Sequence, residues 1–95
     1  MFIMTKQPYA TPDTLLHDEW LLRWAREYLE AGALTVAPVV GPHSIDIIVF
    51  DQKEGEIRFV EVKGRKAAQS PLEKKLQAFV QTQPGLRYEL RRYGK

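Results

Sequence analysis

The sequence predicts a single α/β domain whose elements follow the order α-β-β-β-α-β. Three observations lead to this order: a helical repeat near the start, β-branched apolar runs in the middle, and a helix-capping signal followed by an alternating stretch. The chain has 95 residues, of which 44% are hydrophobic and 27% charged, as in ordinary soluble globular proteins. A chain of this length holds one modest core, so we expect residues 1–95 to form one minimal domain.

The first element is an amphipathic helix that begins at Pro12 and Asp13 and ends at Gly32. Charged residues share one face, and apolar residues recur at helical spacing on the other. The apolar set is Leu16, Trp20, Leu21, Trp24, Ala25, Tyr28 and Leu29. Tryptophans can stack on nucleic-acid bases, but this spacing favours core packing for both of them.

Three strands are predicted next. Residues 34–40 and 45–50 are apolar and β-branched, and the Gly41-Pro42 turn separates them. A polar turn at residues 51–55 leads into residues 57–63, so the second and third strands should form an antiparallel hairpin.

A second helix and a last strand complete the pattern. Ser70, Pro71 and Glu73 form a capping box with proline at the first helical position. The apolar stripe of this helix is Leu72, Leu76, Phe79 and Val80, and the helix should stop before Pro84-Gly85. Residues 86–91 alternate between apolar and charged side chains, which is typical of a half-buried strand.

Charged residues interrupt two of the apolar strands. Asp46 lies near the start of one, and Glu61 and Lys63 lie near the end of the next. Burying such groups is unfavourable unless they are paired or bind a metal. Because strand side chains alternate, Glu61 and Lys63 project from the same face, roughly 7 Å apart. A hairpin could bring Asp46 beside Glu61, where two carboxylates would offer hard oxygen ligands to Mg²⁺ and the lysine could stabilise developing charge.

At these residues the sequence resembles the PD-(D/E)XK nuclease superfamily, which carries an acid and an E-x-K motif on adjacent strands. Residues 45–48 and 59–66 look most like archaeal-type Holliday-junction resolvases and the bacterial YraN group, and the resemblance covers about residues 41–80. It implies a restriction-endonuclease-like fold with a mixed central sheet flanked by helices. It also implies hydrolysis of DNA with Mg²⁺ or Mn²⁺, with Asp46 and Glu61 as metal ligands and Lys63 as catalytic base or charge stabiliser.

The resemblance extends to two further candidate catalytic residues. Ser44 stands where resolvases often have a serine that assists metal or water, whereas Ile45 replaces the proline of the motif. Leu22 occupies the usual place of a glutamate near the metal, and Glu19 or Glu27 lies about one turn away. We therefore expect Glu19 as an accessory acid.

The formal net charge is only +2, but the basic residues are concentrated in the second half of the chain. The candidate phosphate contacts are Arg65, Lys66, Gln69, Lys74 and Lys75, although a solvated helix face explains the lysines equally well. The expected partner is DNA, and the resemblance to resolvases adds branched DNA as a candidate substrate. Because resolving a junction requires paired incisions, we also expect a homodimer.

Other function classes are limited by what the sequence lacks. There is no cysteine, which excludes disulfides and thiolate metal sites. The apolar residues 1–4 are too few for a signal or a membrane span, so we expect a cytoplasmic protein without a membrane partner. His17 and His43 are interpreted as surface residues, with His43 nearer the site. The alternative function is a catalytically inert nucleic-acid-binding or assembly module that retains the nuclease fold, and metal binding separates the two hypotheses.

Overall fold

The computed structural model describes residues 12–39 and 45–94. The predicted α/β class and the order α-β-β-β-α-β are confirmed. The elements are α1 (Pro12–Glu30), β1 (Thr35–Pro38), β2 (Ile47–Asp51), β3 (Glu56–Gly64), α2 (Pro71–Gln81) and β4 (Leu86–Tyr93). β1 is shorter than expected and ends at Pro38, although the Val39 N–H still donates to the Asp46 carbonyl oxygen at 2.7 Å.

The four strands form one mixed sheet in the order β1-β2-β3-β4. β1 pairs antiparallel with β2, and β2 pairs antiparallel with β3, which confirms the predicted hairpin. β3 and β4 are parallel, with Ile57 opposite Leu86 and Gly64 opposite Tyr93. A parallel pair needs a crossover connection, and α2 supplies it.

The core lies between α1 and one face of the sheet. Leu21, Trp24 and Ala25 of α1 pack against four buried residues of the hairpin, which are Ile47, Val49, Val60 and Val62. Trp20 packs at the rim of this core, stacked on the ring of Tyr93. Core packing of both tryptophans is therefore confirmed. Since Val60 and Val62 face α1, Glu61 between them faces the opposite side of the sheet.

The N-terminus of α2 has the predicted capping box. The Ser70 Oγ accepts a hydrogen bond from the Glu73 N–H at 3.1 Å, and the Glu73 Oε1 accepts one from the Ser70 N–H at 2.6 Å. Val80 is the α2 side chain that is fully buried, whereas Leu72 and Phe79 are exposed. Neither α1 nor α2 combines the length and apolar character that a membrane crossing requires.

Candidate active site

Asp46 is held at the point where β2 begins and β3 ends. Its backbone N–H donates to the Val60 carbonyl at 3.0 Å, and its Oδ2 accepts from the Val62 N–H at 2.7 Å. The Val62 N–H thus donates to the Asp46 carboxylate instead of to a backbone carbonyl oxygen of the neighbouring strand. β2 begins only at the next residue, Ile47. These bonds fix a buried acid at one end of the hairpin.

His17 of α1 completes the surroundings of Asp46. Its Nε2 lies 3.0 Å from the Val62 carbonyl oxygen and 3.3 Å from the Asp46 Oδ1. Because a carbonyl only accepts, Nε2 carries the hydrogen. The hydrogen bond to Asp46 raises the pKa of His17 to about 9, although burial opposes this shift. The sequence interpretation of His17 as a surface residue is wrong, since the imidazole is half-buried in the site.

Glu61 is enclosed on the other face of the sheet and is only 1% exposed. Its Oε1 accepts hydrogen bonds from the Tyr88 hydroxyl and the Gln69 amide. Among the described residues no donor hydrogen-bonds to Oε2, and the Lys63 Nζ lies 3.6 Å from it. Burial, with the nearby Glu73 carboxylate, raises the pKa of Glu61 to about 7. The buried carboxylate therefore has a strong tendency to take up a proton or a cation near neutral pH.

Lys63 forms an ion pair with a second carboxylate, that of Glu73. The Lys63 Nζ lies 3.1 Å from the Glu73 Oε1, closer than it lies to Glu61. Burial by itself would raise the pKa of Glu73, but the Ser70 N–H and the neighbouring charges hold it below its usual value. The sequence indicated Glu73 only as a helix cap, and its contact with Lys63 is a feature that the tertiary structure adds.

An open cavity of about 290 Å³ joins these side chains. It is lined by His17, Asp46, Val62, Lys63, Gly64, Ala67, Glu73 and Tyr93. Asp46 and Lys63 thus share one cavity, and Glu61 adjoins it through its contact with Lys63. Asp46 and Glu61 lie next to one another along the hairpin, but Asp46 is engaged by α1 and Glu61 by Gln69 and β4.

Of the remaining predicted catalytic residues, Glu19 does not join this group. Glu19 is exposed and pairs with Arg23 at 3.3 Å. It follows His17 by two residues, about 200° around the helix, and the structure does not bring it to Asp46. Ser44, like His43, lies outside the described residues.

The predicted phosphate contacts fall into two groups. Arg65 and Lys66 are exposed in the turn after β3, and Lys74 and Lys75 are exposed on α2. Gln69 is instead turned inward, where its amide donates to three acceptors: the Gln77 side chain, the Tyr88 hydroxyl and Glu61. Gln69 therefore lies beneath the site, where it orients the Glu61 carboxylate.

Basic residues of β4 are occupied within the protein. Arg87 pairs with Glu56 at 2.8 Å, and the Arg91 guanidinium lies 4.6 Å from the centre of the Trp24 ring. Arg91 therefore belongs to the α1 side of the sheet. Further exposed basic residues lie in the turn after β3 and on α2.

The donors at this site suit a hard divalent cation. Among the described side chains, those of residues 16–39 and 45–94, no three of Asp, Glu, His or Cys are gathered into a ready-made metal cluster. The buried Glu61 Oε2, which lacks a hydrogen-bond donor, nevertheless fits a cation, and carboxylate oxygens are the ligands that Mg²⁺ and Mn²⁺ accept. In comparisons with family models, with curated proteins and with solved structures, nothing matches the chain.

Proposed function

We propose that the chain is a divalent-metal-dependent nuclease of the PD-(D/E)XK type, with a restriction-endonuclease-like fold, that hydrolyses phosphodiester bonds in DNA. The observation that carries this proposal is the buried Glu61 carboxylate, whose Oε2 lacks a hydrogen bond from the described residues and lies 3.6 Å from the Lys63 ammonium. A buried carboxylate without a hydrogen bond destabilises the folded state, and such groups are typical of functional sites.

Asp46 and Glu61 are the residues that would hold Mg²⁺ or Mn²⁺. When bound, the ion would supply Lewis-acid stabilisation of charge at the scissile phosphate. The role of the protein is to supply two fixed carboxylates at the adjoining ends of β2 and β3. Asp46 is fixed by the Val62 N–H, and Glu61 by Tyr88 and Gln69.

Lys63 is the residue proposed to act on the reacting phosphate. Its side chain is 17% exposed and lines the cavity, so it is partly accessible to solvent. From this position it would orient the attacking water or stabilise the negative charge that develops on the phosphate oxygens. Arg65 and Lys66 in the adjacent turn, with Lys74 and Lys75 on α2, would position the DNA backbone.

The decisive experiment compares cleavage of labelled branched, duplex and single-stranded DNA with and without Mg²⁺ or Mn²⁺. We expect Lys63→Ala to abolish cleavage while largely sparing affinity, because one phosphate contact is a small part of the interface. Lys53→Ala, which removes an exposed lysine of the turn between β2 and β3, is the matched control. Equal losses of rate and affinity would make Lys63 a binding residue instead.

Metal binding is tested separately by calorimetry with Mn²⁺. Two neighbouring carboxylates repel one another unless a cation or proton intervenes, so Asp46→Asn and Glu61→Gln should each weaken binding by roughly 10-fold or more, since even loss of a group that orients a ligand costs about that much. Glu54→Gln alters an exposed acid in the turn between β2 and β3 and should leave binding unchanged. Unchanged Mn²⁺ affinity in both site variants would remove the proposed metal site.

A second candidate is a nucleic-acid-binding or assembly module that retains the fold without catalysis. It is favoured by the engagement of both Asp46 oxygens, one by the Val62 N–H and the other by His17. A protein of this kind would bind branched DNA without cutting it, and Mn²⁺ would not alter its stability.

A further inference from the structure

We propose that Glu73 is a positioning residue of the reaction, which holds the Lys63 ammonium at the cavity through a capping box that is also the start of α2. This inference rests on the proposed nuclease function and extends it to a residue outside the E-x-K motif. Glu73 lies ten residues beyond Lys63 and belongs to a different element.

The geometry around Lys63 carries the inference. A lysine has a long, flexible stem, so an ammonium that must act on one phosphate needs something to fix it. The Lys63 Nζ lies near the carboxylates of both Glu61 and Glu73, and Glu73 is the closer at 3.1 Å. The Glu73 side chain is only 14% exposed and lines the same cavity as Lys63, so water screens this contact less than it would a surface ion pair.

Glu73 is itself held rigidly. Its Oε1 accepts from the Ser70 N–H at 2.6 Å while its own N–H donates to the Ser70 Oγ at 3.1 Å. The same Oε1 therefore caps the helix and contacts the lysine, which couples the position of the α2 N-terminus to that of Lys63. A cap requires only the bonds between Glu73 and Ser70, so the contact with the partly buried Lys63 is an additional feature of Glu73.

Two substitutions separate positioning from capping. Glu73→Gln retains a side-chain acceptor for the Ser70 N–H, since glutamine also completes a capping box, but removes the charge that faces Lys63. Ser70→Ala removes the hydroxyl that caps the helix and leaves the Glu73 carboxylate beside Lys63. Glu73→Asp keeps the charge on a shorter side chain. It is a control for a folding defect that only the glutamine variant would have.

We expect Glu73→Gln to lower kcat roughly 10- to 100-fold with little change in KM or Tm, because misplacement of a catalytic group costs rate rather than binding. Glu73→Asp should retain more of kcat than Glu73→Gln. Ser70→Ala should lower Tm while its kcat per folded molecule stays at the wild-type value. Nitrogen-detected NMR of the Lys63 ammonium gives a readout independent of activity: its signal should be resolved in the wild type and in Ser70→Ala, and lost in Glu73→Gln.

The outcomes distinguish this inference from the function on which it rests. If Glu73→Gln and Glu73→Asp cleave DNA at the wild-type rate, Glu73 does not position Lys63 and the nuclease function stands. If Ser70→Ala loses as much kcat as Glu73→Gln, Glu73 acts only through helix stability. If the wild type cleaves no DNA while the Lys63 signal still depends on Glu73, the nuclease function fails, and with it a role of Glu73 in catalysis.

Discussion

At the scale of single residues, Glu61 places a carboxylate in β3 between two apolar side chains, Val60 and Val62. Its burial disfavours the charged form, and the Lys63 ammonium at 3.6 Å offsets only part of this cost. The folded chain therefore binds a proton on Glu61 more tightly than the unfolded chain does. A cation that binds Glu61 would offset this cost, so it should raise the free energy of unfolding.

We predict that Glu61→Gln is more stable than the wild type in metal-free buffer at pH 8. Because the pKa of Glu61 rises from 4.5 to about 7 on folding, the wild type loses stability as pH rises between these values, and glutamine does not. The expected gain is roughly 1–3 kcal/mol at pH 8 and near zero at pH 4, measured by urea unfolding. Glu54→Gln is the control, and a loss of stability at pH 8 would contradict the prediction.

The stability that His17 contributes should also fall as pH rises, but over a higher pH range than that of Glu61. The pKa of His17 is raised from 6.5 to about 9, so its contribution to stability is fully present below pH 6.5 and is lost as pH rises through 9. The difference in unfolding free energy between the wild type and His17→Gln should therefore shrink over this range. Thermal unfolding at pH 6 and pH 10 measures it, and an equal difference at both values would exclude the charged contact with Asp46.

At the scale of secondary-structure elements, α1 both closes the core and delivers His17 to the site. The buried face of α1 includes Leu21 and Trp24, which follow His17 by one and two turns. Docking of the helix thus sets the position of the imidazole against Asp46. At the far edge, the Arg92 guanidinium of β4 donates to three backbone carbonyls of residues 64–67, which ties the basic turn to the sheet.

Leu21→Ala should destabilise the protein by about 2–4 kcal/mol, because it removes buried methyl groups and leaves a cavity. Its neighbour Leu22 gives a matched control with the same change in chemistry. Leu21 is 4% exposed and Leu22 is 60% exposed, so Leu22→Ala should change the unfolding free energy by less than about 0.5 kcal/mol. Similar effects in the two variants would mean that α1 docks through another face.

At the scale of the whole molecule, positive charge is distributed unevenly over the surface. Arg87 and Arg91 are engaged with Glu56 and Trp24, whereas Arg65 and Lys74 are exposed at the end of the sheet that bears the cavity. A polyanion that approaches this end would meet these exposed basic side chains and the cavity together. One small domain presents one such surface, and two copies related by a two-fold axis would present two.

We predict that the chain binds branched DNA in preference to a linear duplex of equal length, and that affinity falls steeply with salt. Counterion release causes the salt dependence, whereas a two-fold pair of sites explains the preference for a branch. Competition gel shifts at fixed salt, together with light scattering to determine mass, test both statements. A monomer that binds junction and duplex equally would contradict the resolvase-like proposal and leave a simpler nuclease possible.

The element order was predictable from sequence because it depends on local patterns. Helical periodicity, the capping box at Ser70 and the alternation after Gly85 each act over a few residues, and the hairpin follows from the short polar turn at residues 51–55. The same patterns marked Asp46, Glu61 and Lys63, since each is a charge in an otherwise apolar strand. Periodicity could also have identified His17, which lies one turn before Leu21 on the buried face.

What the tertiary structure decided is which side chains meet across long separations in the chain. His17 contacts the Val62 carbonyl across 45 residues, and Glu73 contacts Lys63 from the start of another element. These contacts depend on how α1 and α2 are placed against the sheet, which no local pattern fixes. For the same reason the sequence did not reveal that Glu19 points away from the site, or that Asp46 and Glu61 are engaged from opposite faces of one hairpin.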